Sequence, residues 1–179
     1  MQTFLVLFSL SYLATLFLAG AAGHIARFRN FRLLIREHGI VPHAWSGLTA
    51  AAVCGFELLA GGAALLSLGQ LAGWRMRIFA LAGAALAGVT FQIYVRRLLR
   101  KAGRTTSCGC SPLSAPLTRA SLAPSTGAVF LSLCGLGAAG APNPSPGLML
   151  ALPYLWGLIL AGMTVLYPAA VLQVPRRER

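Results

Sequence analysis

Several apolar stretches, each long enough to cross a lipid bilayer, constrain the fold of this 179-residue chain more than any other feature. The hydrocarbon core of a bilayer is about 30 Å thick, so a helix of about 20 apolar residues spans it. Hydrophobic residues make up 57% of the chain and charged residues only 10%, which leaves a water-soluble fold with too little polar surface. The sequence therefore predicts a single membrane domain, an all-α polytopic bundle of transmembrane helices.

The hydropathy pattern predicts about four to five spans and one further helix. Segment 24–39 places arginines between apolar residues at helical spacing, which is typical of an amphipathic helix at an anionic lipid surface. A cysteine-containing loop is expected at about 96–117. The expected spans are about 3–22, 44–68, 76–95, 118–139 and 148–171. The first stretch ends in small residues, so a cleaved signal peptide is an alternative, although the usual basic n-region is missing.

The distribution of positive charge predicts the orientation in the membrane. The formal net charge of +12 comes from 15 basic residues and three glutamates, and the basic residues cluster between apolar stretches, at 27–36, 96–104 and 176–179. The positive-inside rule then predicts a bacterial inner-membrane protein with an outside N-terminus and a cytoplasmic C-terminus. It also places the 96–117 loop in the cytoplasm. No aromatic residues interleave with these clusters in a single-strand-binding pattern, so nucleic acid is not an expected partner.

Three chemically distinctive side chains lie inside predicted spans. Glu57 falls near the middle of the second span, where an ionised carboxylate is costly, so we expect it to face the bundle interior and find a partner. It could contact a proton or a substrate, or make a helix-packing hydrogen bond, and both alternatives are open. Cys54 and Cys134 are either small buried hydrophobes or accessory thiols.

Cys108-Gly109-Cys110 is the one chemical motif of the chain. Two thiols separated by a glycine can share a disulfide or a soft metal ion. Arg104 could lower the cysteine pKa, and a small strained ring would be easily reduced, which suits thiol–disulfide exchange. The alternatives are inert loop cysteines or a Cu(I) site at the pair. Weak thioether contacts to the metal would then come from Met76, Met149 and Met163.

Other enzymatic chemistry has no support in the sequence. It contains no nucleotide-binding glycine pattern, no Ser-His-Asp arrangement and no paired carboxylates, and no aspartate at all. A zinc site is disfavoured because two cysteines do not complete a tetrahedral shell and the three histidines lie in a separate loop. We expect neither a hydrolase nor a nucleotide-dependent enzyme, and no cofactor. A membrane assembly subunit without chemistry of its own remains an alternative.

Taken in order along the chain, several motifs resemble the MauE family of methylamine utilization membrane proteins, within the wider DoxX-like group. They are the segment RFRNFRLLIREHGIVP at 27–42, the span sequence GFELLAGGAALL at 55–66, and the cysteine pair before a further span. By this resemblance, Phe31 and Gly39-Ile40-Val41-Pro42 match the family's aromatic and glycine-x-valine-proline elements. Glu57 matches its second-span glutamate, and Cys108 and Cys110 match its cysteine pair.

The sequence departs from the family pattern at three places. His24 stands where the family often has a lysine, Ser111-Pro112 replaces a Phe-Gly, and Ala123-Pro124 replaces an Arg-Asn pair. The resemblance implies assistance in the processing, transport or disulfide maturation of the small subunit of methylamine dehydrogenase, with a thioredoxin-like partner. Disulfide maturation belongs to the periplasm, whereas the charge distribution predicts a cytoplasmic cysteine pair. Either the pair relays electrons from cytoplasmic reductants, or one predicted span is wrong.

Overall fold

The described part of the chain is helical. The computed structural model describes residues 2–68, 73–102, 122–138, 153 and 155–161. Its helices are α1 (Gln2–Ala26), α2 (Phe28–His38), the one-turn 3-10 helix η1 (His43–Trp45), α3 (Ser46–Leu68), α4 (Trp74–Ala102) and α5 (Ala123–Gly137). Residues 155–161 are also helical. The described residues include no strand, and the predicted all-α helical bundle is confirmed.

Three helices of the described part are long and apolar enough to cross a bilayer. They are Gln2–Ala26, His43–Leu68 and Trp74–Lys101, while Ala123–Gly137 is a shorter apolar helix. Large apolar side chains cover their outer surface, with Leu59 75% and Phe79 74% exposed. Such a surface suits contact with lipid rather than water. The protein is therefore a multi-pass membrane protein.

The long helices form a closed four-helix bundle. α1 packs against α3 and α5, and α4 packs against the same two helices. Leu10, Tyr12 and Leu13 of α1 are fully buried at its centre, together with Leu81 of α4. Glycines let the helices approach: a Cβ at Gly135 of α5 would come within 2.8 Å of Leu81 Cδ2. Close approach at small residues is the usual way in which membrane helices gain packing energy.

A break at Arg27 divides the predicted 24–39 helix into two. The Arg27 backbone has φ −123° and ψ 35°, so α1 ends at Ala26 and α2 starts at Phe28. α2 packs on α3 and buries Ile35 and His38, while its three arginines are exposed. The apolar side of α2 therefore contacts the protein, and its arginine side faces outward.

The basic residues of α2 and those of the C-terminal part of α4 lie at one end of the bundle, here called the basic end. α4 continues through the residues predicted to begin the 96–117 loop, because arginine, leucine and lysine favour helix. Near its C-terminus, Lys101 donates a hydrogen bond to the Gly39 carbonyl at 2.6 Å. α5 also begins at this end, where Leu122 packs against buried Val95 and Leu98.

Candidate functional site

A histidine–glutamate pair lies inside the bundle, between α1 and α3. His24 Nδ1 and Glu57 Oε2 are 2.8 Å apart, and the two side chains are 11% and 16% exposed. Glu57 occupies the middle of α3, whereas His24 belongs to the last turn of α1. The expectation that this carboxyl group has a partner in the bundle is met by a residue on another helix.

Two neighbours shape the pair. Gly20 lies on α1 one turn before His24, and a Cβ there would stand only 3.0 Å from Glu57 Oε1. The small residue thus lets the carboxyl group lie flat against α1. Phe31 of α2 stacks on the His24 ring, with centroids 4.0 Å apart and planes inclined by 9°. The imidazole is held between an aromatic ring and a carboxyl group, which fixes its orientation.

The arrangement can hold a proton in a region of low dielectric. An imidazole and a carboxyl group at hydrogen-bond distance share one hydrogen, which either the ring nitrogen or the carboxyl oxygen can carry. Both forms satisfy the polar atoms, which offsets the cost of burying Glu57. Chemically, the pair can bind or pass a proton, or link α1 to α3 without any reaction.

Cys54 lies one helical turn before Glu57, on the same side of α3. It is 5% exposed and its thiol is free. Cys134 of α5 is also free and half-buried. The next residue, Gly135, packs against Ser9 of α1. Cys54 instead lies near the level of His24, which is fifteen residues after Ser9 on α1. At 1.5 Å per residue the two thiols are about 20 Å apart along the bundle, so the structure does not bring them together.

Cys108, Cys110 and Arg104 lie outside the described residues. The described residues on either side are Ala102, which ends α4, and Leu122, which precedes α5. Both belong to the basic end, because Lys101 bonds to Gly39 and Leu122 packs on Val95 and Leu98. The two described residues that border the segment with the cysteine pair therefore both lie at this end.

A second histidine contact, between α2 and α4, was not predicted. His38 is 4% exposed, and its Nδ1 lies 2.5 Å from the Tyr94 hydroxyl. The sequence contains one indication of this contact. His38 follows Ile35 at a spacing of three residues and therefore lies on the apolar side of α2. A polar residue in that position indicates a partner on the helix that covers it. The contact fixes the C-terminal end of α2 against α4.

No group of three or more metal-binding side chains occurs among residues 2–68, 73–102, 122–138, 153 and 155–161. A cavity of about 220 Å³ lies between α1, α3 and helical residues 155–161. Leucines line most of it, and the Ser11 hydroxyl at its wall finds no hydrogen-bond partner among the described residues. The lining of this cavity is thus mostly apolar among the described residues.

Residues 1–140 match the family described as methylamine utilisation protein MauE. The chain belongs to the MauE family. The match covers α1 to α5 and also residues 108–110, the cysteine motif. No curated protein and no solved structure gives a significant match.

Within this MauE-family chain, elements that are separate in sequence form one site. Phe31, the aromatic element, stacks on His24, and His24 bonds to Glu57, the second-span glutamate. Gly39, which opens the glycine-x-valine-proline element, ends α2 with φ 57°, a left-handed conformation that favours glycine. His24 is thus the hydrogen-bonding partner of Glu57 in this site.

Proposed function

We propose that this MauE-family protein assists the disulfide maturation of a periplasmic client in the bacterial inner membrane, through thiol–disulfide exchange at Cys108 and Cys110. The observation that carries the proposal is the family match, because it runs over residues 1–140 and includes both cysteines. The client class that the family suggests is the small, disulfide-rich subunit of methylamine dehydrogenase. A thioredoxin-like protein is the redox partner.

The proposed exchange conserves electrons and protons. The thiolate of one cysteine attacks a client disulfide, forms a mixed disulfide and releases one client thiolate, which takes up a proton. The second cysteine attacks the mixed disulfide, which leaves Cys108 and Cys110 oxidised and the client with two thiols. A dithiol of the thioredoxin class then reduces the pair by the same two steps. Arg104 stabilises the attacking thiolate through its positive charge.

Charge supports a cytoplasmic location for this exchange. Both residues that flank the cysteine segment belong to the basic end, and the positive-inside rule assigns such an end to the cytoplasm. Thioredoxin-class dithiols are maintained reduced in the cytoplasm. In this proposal the Cys108–Cys110 pair acts on the client before export, and it keeps the cysteines of the client reduced until the client reaches the periplasm.

The His24–Glu57 pair has a positioning role in this proposal. It joins the end of α1 to the middle of α3, and Phe31 joins α2 to the same pair. α2 in turn contacts α4 close to the point where the cysteine segment begins. The pair therefore supports the geometry of the basic end, while Cys54 and Cys134 are not needed for the exchange.

The direct test combines single-serine variants with labelling in intact cells. We expect the single variant that keeps the attacking cysteine and lacks the second one to accumulate a mixed disulfide with the client, seen as a reductant-sensitive band, and the double variant to lose correctly paired client. Cys134→Ser is the matched control, because Cys134 lies eleven residues beyond Ala123, which begins α5 at the basic end, and is thus about 17 Å further along the helix. Normal client disulfides in both single variants would contradict the proposal.

The side of the membrane is tested separately with a membrane-impermeant maleimide. A cytoplasmic pair reacts only after the membrane is permeabilised. Reaction in intact cells, after reduction, would instead put the pair in the periplasm and overturn the step before export.

A further inference from the structure

Cationic side chains from two helices meet at the turn that joins α2 to α3. Lys101 of α4 donates a hydrogen bond from Nζ to the carbonyl oxygen of Gly39 at 2.6 Å. Arg36 of α2 donates from Nε to Nδ1 of His43 at 3.1 Å. Each contact anchors a flexible cationic side chain to the backbone or ring of the same short turn.

A third cation lies where this turn enters α3. The Arg32 side chain packs against Gly47, with its Nε 3.4 Å and its Cζ 3.6 Å from the position of a Cβ at that glycine. A larger residue at Gly47 would push the guanidinium away. Residues 39–47 together with Arg32, Arg36 and Lys101 are called the cationic turn below.

The cationic turn retains hydrogen-bond donors for a further ligand. The Arg36–His43 contact uses Nε, and among the described residues no hydrogen bond engages the two Nη groups of Arg36. Because His43 accepts through Nδ1, its ring hydrogen is on Nε2, which is a further donor. Arg32, Arg36, His43 and Lys101 are all exposed. Donors on fixed guanidinium groups suit the oxygens of a phosphate.

Negative charge near these donors is sparse in the described residues. Glu37 is exposed on α2, and Glu57 is bonded to His24 inside the bundle. The local charge is therefore positive, and an anion would compensate it.

Exposed apolar side chains border the cationic turn. Leu33 is 53%, Trp45 59% and Leu48 62% exposed. Leu33 and Arg36 share a side of α2, and Leu48 directly follows Gly47. Tryptophan is enriched at the membrane–water interface, where one part of its ring system contacts acyl chains and another contacts headgroups. Cations next to exposed apolar groups favour a lipid over a free anion or an acidic soluble protein.

We propose that the cationic turn binds the headgroup phosphate of an anionic glycerophospholipid. Arg32, Arg36 and Lys101 contact the phosphate oxygens, and the exposed leucines and tryptophan contact the glycerol and the first part of the acyl chains. The lipid bridges α2 and α4, which supply these cations. The inference is independent of the chemistry at Cys108 and Cys110.

Native mass spectrometry of the detergent-solubilised full chain tests the site, with phosphatidylglycerol and phosphatidylcholine as competing probes. We expect one phosphatidylglycerol per chain to be retained in preference to phosphatidylcholine. Arg32→Ala, Arg36→Ala and Lys101→Ala should each weaken retention by about fivefold, as expected for loss of one interfacial cation. Arg36→Lys keeps the charge but loses the planar fork, so its effect should be smaller than that of Arg36→Ala.

Arg75→Ala is the matched control, because Arg75 lies in the first turn of α4, at the other end of the bundle, with its guanidinium over the Trp74 ring. It should retain phosphatidylglycerol as the unmodified chain does. Equal retention by all of these variants would overturn the proposal. Displacement of the lipid by millimolar inorganic phosphate would also overturn it, because the site would then recognise the free anion.

Discussion

Gly61 of α3 packs directly on Leu18 of α1. A Cβ at Gly61 would stand 2.8 Å from Leu18 Cγ and 3.1 Å from the Leu18 backbone nitrogen. One turn earlier on α3 and two residues later on α1, Glu57 lies against Gly20. These two contacts set both the distance and the register of α1 and α3, and that register brings His24 to Glu57.

We expect Gly61→Ala to destabilise the protein by about 1–3 kcal/mol, because the new methyl group meets backbone as well as a side chain. Gly62→Ala is the control, since a Cβ there meets nothing within 4 Å. The measurement is the thermal unfolding midpoint of both variants in the same detergent. Equal midpoints would show that α1 and α3 are not in close contact at Gly61.

The His24–Glu57 pair should show thermodynamic coupling. His24→Ala leaves a mostly buried carboxyl group without its partner, which costs about 1–3 kcal/mol. Glu57→Gln keeps a hydrogen-bonding side chain, so we expect a smaller loss. A double-mutant cycle of His24→Ala and Glu57→Ala should give a coupling of about 0.5–2 kcal/mol. The exposed Glu37→Gln should be neutral, and strictly additive effects in the cycle would contradict the contact.

The Tyr12 hydroxyl fills the space beside Gly127 of α5. A Cβ at Gly127 would stand 2.7 Å from that oxygen and 3.4 Å from Cζ. We therefore expect Gly127→Ala to destabilise the protein, and Tyr12→Phe to relieve part of the loss in the double variant. Unfolding midpoints of the single and double variants measure this. Gly137→Ala, with no neighbour within 4 Å, is the control.

Two exposed tryptophans lie at opposite ends of the bundle. Trp45 belongs to η1 at the basic end, and Trp74 begins α4 at the other end. In a background without native cysteines, Trp45→Cys and Trp74→Cys should react with an impermeant maleimide from opposite sides. Cys108, restored alone, should react from the same side as Trp45→Cys. Matching behaviour of Cys108 and Trp74→Cys would contradict the assignment of the cysteine segment to the basic end.

Hydropathy predicts the class of the fold because it reports which residues avoid water. It does not report where one helix ends beside another. The partner of Glu57 was unknown from the sequence, since His24 lies at the end of a different helix and meets it only through the α1–α3 register. The His38–Tyr94 contact was missed for the same reason.

Charge was a poor guide to local backbone structure. Arg96, Arg97 and Arg100 were expected in a loop because they are polar, yet they extend α4. Basic residues favour helix and are stable in the last turns, where they compensate the negative end of the helix dipole. The break at Arg27 had no glycine or proline to indicate it. The predicted span at 148–171 lies largely outside the described residues, of which only 153 and 155–161 belong to it.

The short segment between Ala102, where α4 ends, and the cysteine pair limits the distance between the two sulfur atoms and the end of this helix. Six peptide units separate Ala102 from Cys108 and eight separate it from Cys110. A fully stretched chain covers about 3.5 Å per residue, so the two sulfur atoms stay within about 20–30 Å of the α4 terminus. α3 alone is about 35 Å long. The reach of Cys108, about 20 Å, is shorter than the roughly 30 Å hydrocarbon core, so in the proposed exchange the reaction partner would meet this thiol on the side of the membrane where α4 ends.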